Sequence, residues 1–172
     1  DASDEGALTP LGHHLAALPV DCRVAKMLVY GAMLSCASPA LTVAACLSYK
    51  SPFLAGQGKG AAAGDTSRKA LSAPGAGGLA AGEQSDHLTH AAAYEGWADA
   101  VEAAAAAGDR RRGADAGRRH AAKHGLCADT LRQIAEMRGQ YAALLADIGF
   151  LEPAARGPTP LQTPMAPCPA RH

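Results

Sequence analysis

The segment between Pro19 and Pro52 constrains this chain most, because it holds two helix-start signals and two apolar periods between prolines. Asp21 stands as an N-cap, a side-chain acceptor for the free N–H groups of a first turn. Val24, Met27, Leu28, Gly31 and Leu34 then recur at three- and four-residue steps and predict a helix over roughly 23–37. Gly31 and Ala32 on that helix let a neighbour approach closely. Ser38-Pro39 is a second start, a cap followed by proline at the first helical position. The helix it opens, roughly 39–48, is apolar nearly all round from Leu41 to Leu47, the pattern of a buried helix. Pro52 ends it.

The flanking regions are read around this pair. Residues 1–7 are polar and expected to fray. Leu8-Thr-Pro-Leu-Gly12 reads as a strand end and turn, with Pro10 fixing φ, and His13–Leu18 as a helical turn stopped by Pro19. Residues 54–84 are rich in Gly, Ala and Ser without a sustained period, which predicts a flexible surface loop. Ser85-Asp86 caps the next helix, with Leu88, Ala91, Tyr94, Trp97 and Val101 as its stripe, Trp97 as a core anchor and Gly108 as its end. Asp129 is expected to cap the last helix. Leu131, Ile134, Met137, Tyr141, Leu144, Leu145 and Ile148 face inward, and Gly149 is the C′ residue. Prolines from Pro153 to Pro169 predict a disordered tail. The fold class is therefore all-α, a helical bundle of about five helices. Much of the 48% apolar content is alanine and aromatics make up only 4%, so the core must be modest.

Charge and motifs exclude more than they select. Lys+Arg and Asp+Glu are both 16, so an affinity for nucleic acid has to come from a local patch. Five cysteines without C-x-x-C spacing fit reduced thiols rather than a disulfide framework. No apolar run reaches the ~18 residues of a membrane span. The start, Asp1-Ala-Ser-Asp-Glu5, is acidic and lacks methionine, which reads as a fragment rather than a signal peptide. Gly56-Gln-Gly-Lys-Gly60 lacks the spacing of a phosphate loop. His87/His90 and His120/His124 pair at helical spacing, but no H-E-x-x-H or fourth ligand accompanies them, so no metal site is assigned. No G-x-S-x-G or activated Ser or Cys marks a hydrolase. Arg110, Arg111, Arg112, Arg118, Arg119 and Lys123 form a basic run, either a solvated helix face or a phosphate-contacting one, interleaved with alanines rather than base-stacking aromatics.

Four ordered blocks carry a resemblance. Leu8-Thr-Pro-Leu-Gly-His-His-Leu-Ala-Ala-Leu-Pro-Val-Asp21 is similar to L-T-P-L-G-x-x-L-A-x-L-P-V-D. Ser38-Pro-Ala-Leu-Thr-Val-Ala-Ala-Cys-Leu-Ser-Tyr-Lys-Ser-Pro-Phe53 is similar to D-P-x-L-T-I-A-A-x-L-S-Y-K-D-P-F, and Ser85-Asp-His-Leu with Ala93-Tyr-Glu-Gly-Trp97 to S-D-H-L…A-Y-x-x-W. The run Leu131 to Phe150 is similar to L-x-x-I-x-x-x-R-x-Q-[FY]-x-x-L-L-x-x-x-G-F. Together they resemble the C-terminal helicase-associated, ratchet-like domain of DEAH-box, RNA helicase A-like ATP-dependent RNA helicases. Cys22, where that family has proline, and His90, in place of an apolar residue, depart from the pattern.

The resemblance implies a degenerate winged-helix end at 1–20, a ratchet-like domain at 21–151 and a Pro-rich tail at 152–172. It implies a parent protein that moves 3′-to-5′ along RNA and unwinds it, with ATP and Mg2+ as cofactors of the parent and none in this chain. The implied partners are RNA, the RecA-like core and OB-fold of the same protein, and a ribosome or ribonucleoprotein. The implied location is cytoplasmic, with nuclear as the alternative. No motor motif is present, so the module is expected to be non-catalytic on its own, with no catalytic residue and no metal ligand assigned. The RNA-binding candidates are Ser85, Asp86, His87, Arg138 and Gln140. The alternative function is a stand-alone helical protein-interaction module that has lost its motor.

Overall fold

The computed structural model describes residues 6–55, 59–74, 78–108 and 110–152. Residues 1–5, most of the Gly-rich segment at 56–58 and the Pro-rich tail from Pro153 onward lie outside that description, as do the expectations placed on them. The described residues form seven helices, α1 Pro10–Ala16, α2 Cys22–Met33, α3 Ala37–Ser48, α4 Lys59–Ser72, α5 Asp86–Ala106, α6 Arg110–Lys123 and α7 Ala128–Asp147. The all-α reading holds, with more helices than expected. No described helix is long and apolar enough to cross a membrane.

The first helix begins earlier than the sequence suggested. Thr9 is its N-cap, with Oγ1 accepting from the Gly12 N–H at 3.1 Å, and Pro10 occupies the first helical position. Leu8–Gly12 is therefore a helix start rather than a strand end. Proline at that position loses nothing, because its missing N–H would have had no partner there.

Asp21 caps α2 as expected, accepting from the Arg23 N–H at 2.9 Å. The helix stops at Met33, short of 37, and Leu34 is 71% exposed rather than on the core face. Ser35 takes φ +57°, and the Cys36 N–H reaches back to Gly31 O at 2.8 Å, which turns the chain sharply into α3. Cys36, not Ser38, precedes the first residue of α3, and Pro39 falls inside its first turn. Leu41 through Cys46 are all buried, as an all-round apolar helix requires. A Cβ at Gly31 would sit 2.5 Å from Ala40 Cβ, so the α2–α3 crossing depends on that glycine.

Residues 54–84 are the largest departure, since they contain α4. A loop was expected because this segment has no apolar stripe, and in α4 only Gly64 is buried. A backbone crossing holds the helix, together with Leu71 on the core and Arg68 over the Phe53 ring. Gly64 lies against Gly125, whose φ of +61° and missing Cβ let the 124–126 turn touch the helix. An isolated antiparallel bridge between Phe53 and Leu126 ties the same turn to the chain leaving α3, with Leu54 N–H to Gly125 O and Cys127 N–H to Pro52 O both at 2.9 Å.

Small residues also set the α5–α6 interface. Gly113, Gly117 and Ala121, one helical turn apart, are the buried residues of α6. A Cβ at Gly117 would lie 2.7 Å from Val101 Cγ2, so the two backbones approach closely and the arginines of α6 are turned outward. Cys127 rather than Asp129 precedes α7, and Asp129 lies in its first turn, paired with Arg132. Gly149 at φ +81° ends α7 as expected, with Phe150 N–H returning to Leu145 O at 2.8 Å. Leu28, Val29, Leu131, Ile134 and Leu145 are at most 1% exposed and form the centre of the core, and Trp97 anchors it beside Tyr94.

Candidate nucleic-acid interface

Of the five polar residues singled out in the sequence, Arg138 is the one whose surroundings are most built. Projecting from α7, its Nη1 donates to Ser38 O at 2.6 Å and to Thr42 Oγ1, and its Nη2 to Ser38 Oγ at 3.2 Å. The guanidinium also stacks on the Tyr94 ring, 4.6 Å from its centroid. Thr42 itself donates to Ser38 O at 3.3 Å, closing the set. Burial pushes the Arg138 guanidinium below its ordinary value, with Tyr94 and Glu95 acting against that shift. Burial raises the Glu95 carboxyl, Arg138 opposes this, and Asp99 adds to it. Arg138 thus joins α3, α5 and α7, and its fork is engaged inside the domain.

Ser85, Asp86 and His87 sit together at the start of α5. The Ser85 hydroxyl accepts from Leu88 N–H at 3.4 Å, and its carbonyl accepts from the Thr89 N–H at 3.0 Å and hydroxyl at 2.9 Å. Thr89 Oγ1 in turn lies 3.0 Å from Ser72 Oγ of α4. Asp86 and His87 are exposed, as is Gln140 on α7. Next to them His90 lies 3.0 Å from Ser51 Oγ and beside the Phe53 ring. Burial lowers the His90 pKa and Arg68 adds to this, against Asp86. Tyr94, the contact of Arg138, is eight residues beyond Asp86, or ~12 Å along the axis. The structure therefore groups Ser85, Asp86 and His87 and sets Arg138, engaged at Tyr94, apart from them.

The densest run of exposed cations among the described residues lies elsewhere, on α6. Arg110, Arg111, Arg112, Arg118, Arg119 and Lys123 are all exposed there, with Asp115 paired to Arg118. At the far end of that helix His120 and His124 stack at 4.4 Å, with Ser67 Oγ of α4 3.4 Å from His124 Nδ1. Among the described residues no three His, Cys, Asp or Glu side chains converge as a metal site would require.

The family described as "Helicase associated domain (HA2), ratchet-like" matches residues 21–131. The chain belongs to this ratchet-like helicase-associated family. A second pattern, "Helicase associated domain (HA2), winged-helix", matches residues 3–20, so the two meet at Asp21, the cap of α2. Human "ATP-dependent DNA/RNA helicase DHX36" is 40% identical over 144 residues, covering 84% of this chain and 12% of that protein. Arabidopsis thaliana "DExH-box ATP-dependent RNA helicase DExH1" is 37% identical over 150 residues, 87% of this chain and 13% of that protein. Mouse "Putative ATP-dependent RNA helicase DHX57" is 36% identical over 149 residues, 87% of this chain and 9% of that protein. The chain thus spans 9–13% of the length of these relatives.

The blocks that carried the ratchet-like resemblance prove to be the points where helices meet. Ser38, Thr42, Tyr94 and Arg138 come from three separate blocks and make one polar junction. Phe53, the last residue of its block, is the bridge to Leu126. Sequence reasoning had no means of pairing Ser38 with Arg138, a hundred residues apart.

Proposed function

We propose that this ratchet-like domain is the RNA-channel module of an ATP-dependent RNA helicase and performs no catalytic step itself. The parent protein supplies ATP and Mg2+ binding through its RecA-like core and translocates 3′-to-5′ while the module forms one wall around single-stranded RNA. The observation that carries this reading is the exposed arginine face of α6, fixed on α5 by the Gly113–Gly117–Ala121 contact so that its charges face outward on a rigid support. Backbone phosphates are the partners such a sequence-blind array of guanidinium groups suits. The exposed Tyr30 and Met33 of α2, with Leu34 just beyond its end, form an apolar patch that suits burial against the RecA-like core of the same protein.

Fluorescence anisotropy of a labelled single-stranded RNA, titrated with the 172-residue chain at several salt concentrations, tests the reading. Three phosphate contacts predict that log K falls against log salt with a slope near about −2, at ~0.7 per contact for single strands. The double variant Arg118→Glu, Arg119→Glu should weaken binding and flatten that slope without lowering Tm. Salt-independent binding, or none by a folded chain, would instead favour a protein-interaction module that has no RNA role.

A further inference from the structure

The alanines of α6 left its arginines without an aromatic partner in sequence, yet the fold supplies one. Between α5, α6 and α7 lies a cleft of about 250 Å3. Its apolar floor includes Trp97 and Val101 of α5, Ala114 and Gly117 of α6, and Ala128 of α7. Arg110, Arg118 and Arg132 stand around it. Trp97 is only 6% exposed, and its buried Nε1 has no hydrogen-bond partner. That atom faces α6 at Gly117, where an added Cβ would come within 2.9 Å of it. A buried donor left unpaired is a standing penalty that an incoming acceptor relieves.

We infer that this cleft is a nucleotide subsite, taking one base against Trp97 and its phosphate among Arg110, Arg118 and Arg132. The inference rests on the RNA-channel reading when the nucleotide belongs to a strand, but a free nucleotide has the same chemistry. Four features fit that ligand together. The floor is apolar and made mostly of small residues, which suits a flat body. At ~30 Å3 per water, the volume is several times that of one solvent molecule. The single unpaired N–H suits a carbonyl or ring nitrogen on the edge of a base. The rim is cationic, and its intrahelical Asp partners are exposed: Asp115 for Arg118 and Asp129 for Arg132. Such exposed pairs are weak and yield to a phosphate, while Arg110 has no partner among the described residues. An acidic peptide would meet the arginines but has no flat body to cover the apolar floor.

Trp97 is the only tryptophan in the chain, so its fluorescence reports directly on the cleft. The full chain is titrated with uridine monophosphate, inorganic phosphate, a glutamate-rich peptide and a single-stranded oligouridylate. The oligouridylate is also followed by anisotropy. Saturable quenching by the mononucleotide and the oligonucleotide, with phosphate and peptide at least tenfold weaker, is the expected result. Ala114→Leu, which fills the cleft, should abolish the quenching. Arg110→Gln and Arg132→Gln, both at exposed positions that leave folding intact, should each weaken mononucleotide binding several-fold. Oligonucleotide binding that leaves Trp97 fluorescence unchanged and is indifferent to Arg110→Gln would overturn the subsite while sparing the RNA reading. Quenching by the mononucleotide without oligonucleotide binding would sustain the subsite for free nucleotides and sink the RNA reading. Equal quenching by peptide, or no quenching by any ligand, overturns the subsite.

Discussion

Replacing Arg138 by alanine separates a structural arginine from an RNA-contacting one. The substitution removes three hydrogen bonds from a charged donor to Ser38 and Thr42 and the stacking on Tyr94. Bonds to charged groups contribute ~1.5 kcal/mol each at the low end, and a cation–π contact about 0.5–1 kcal/mol more. Alanine also removes the cost of holding a guanidinium out of water, which offsets part of that sum and leaves a net loss of roughly 3 kcal/mol. For a domain of this size that lowers Tm by about 6–12 °C. Arg138→Lys keeps the charge but loses the planar fork, so it should recover less than half the loss. Circular dichroism melts of the two variants and of the exposed control Arg119→Ala measure this. The reasoning fails if Arg138→Ala melts within about 1 °C of the parent, and fails in the same way if it weakens RNA binding with Tm unchanged.

Two other outcomes follow from the titrating groups. Burial lowers the pKa of both His120 and His124, with their mutual repulsion contributing for His120 and Lys123 adding to both, against Asp99 at His120. The unfolded chain then binds more protons below the ordinary histidine range, so the stability these side chains give is present above about pH 6.5. It is lost as pH falls toward their lowered values. Tm should drop between pH 7.5 and 5.5, and the double variant His120→Asn, His124→Asn should drop less. An equal drop would refute the assignment. Separately, burial pushes the Cys46 thiol up to about 11, whereas hydrogen bonds from Thr130 hold the Cys127 thiol below its ordinary value. Brief iodoacetamide treatment of the folded chain followed by peptide mapping should therefore find Cys127 alkylated and Cys46 protected. Labelling of Cys46 at a comparable rate would contradict the burial of α3.

The helices that were legible in the sequence are those that bury large side chains on one face. In α2, α5 and α7 the stripe and at least one terminal signal, Asp21, Ser85 or Gly149, agree with each other. The buried helix α3 was recognisable from its continuous apolar run, though its start was misplaced because Ser38-Pro39 fits a first turn as well as a cap. Thr9-Pro10 was misread for a related reason, since the same residues open turns and helices. Nothing in the sequence announced α4. Its closest contact is Gly64 against Gly125, backbone on backbone, and the rest are scattered polar side chains and the single Leu71, which leaves no apolar period to detect. Of the RNA-binding candidates, the exposed Asp86 and His87 stayed together, while the environment of Arg138 became visible only when α3 and α5 were seen beside it.

Local order fixed the class of this protein and its family, because capping and periodicity act over a few residues and the matched blocks keep their spacing along the chain. It also placed the arginines of α6 on a helix. Tertiary structure alone decided what those arginines face. Helix packing through Gly113 and Gly117 brings Trp97, from another helix, beside Arg118, and the start of α7 adds Arg132. That convergence depends on how closely two backbones approach, a quantity set by missing side chains at distant positions and invisible to any local pattern.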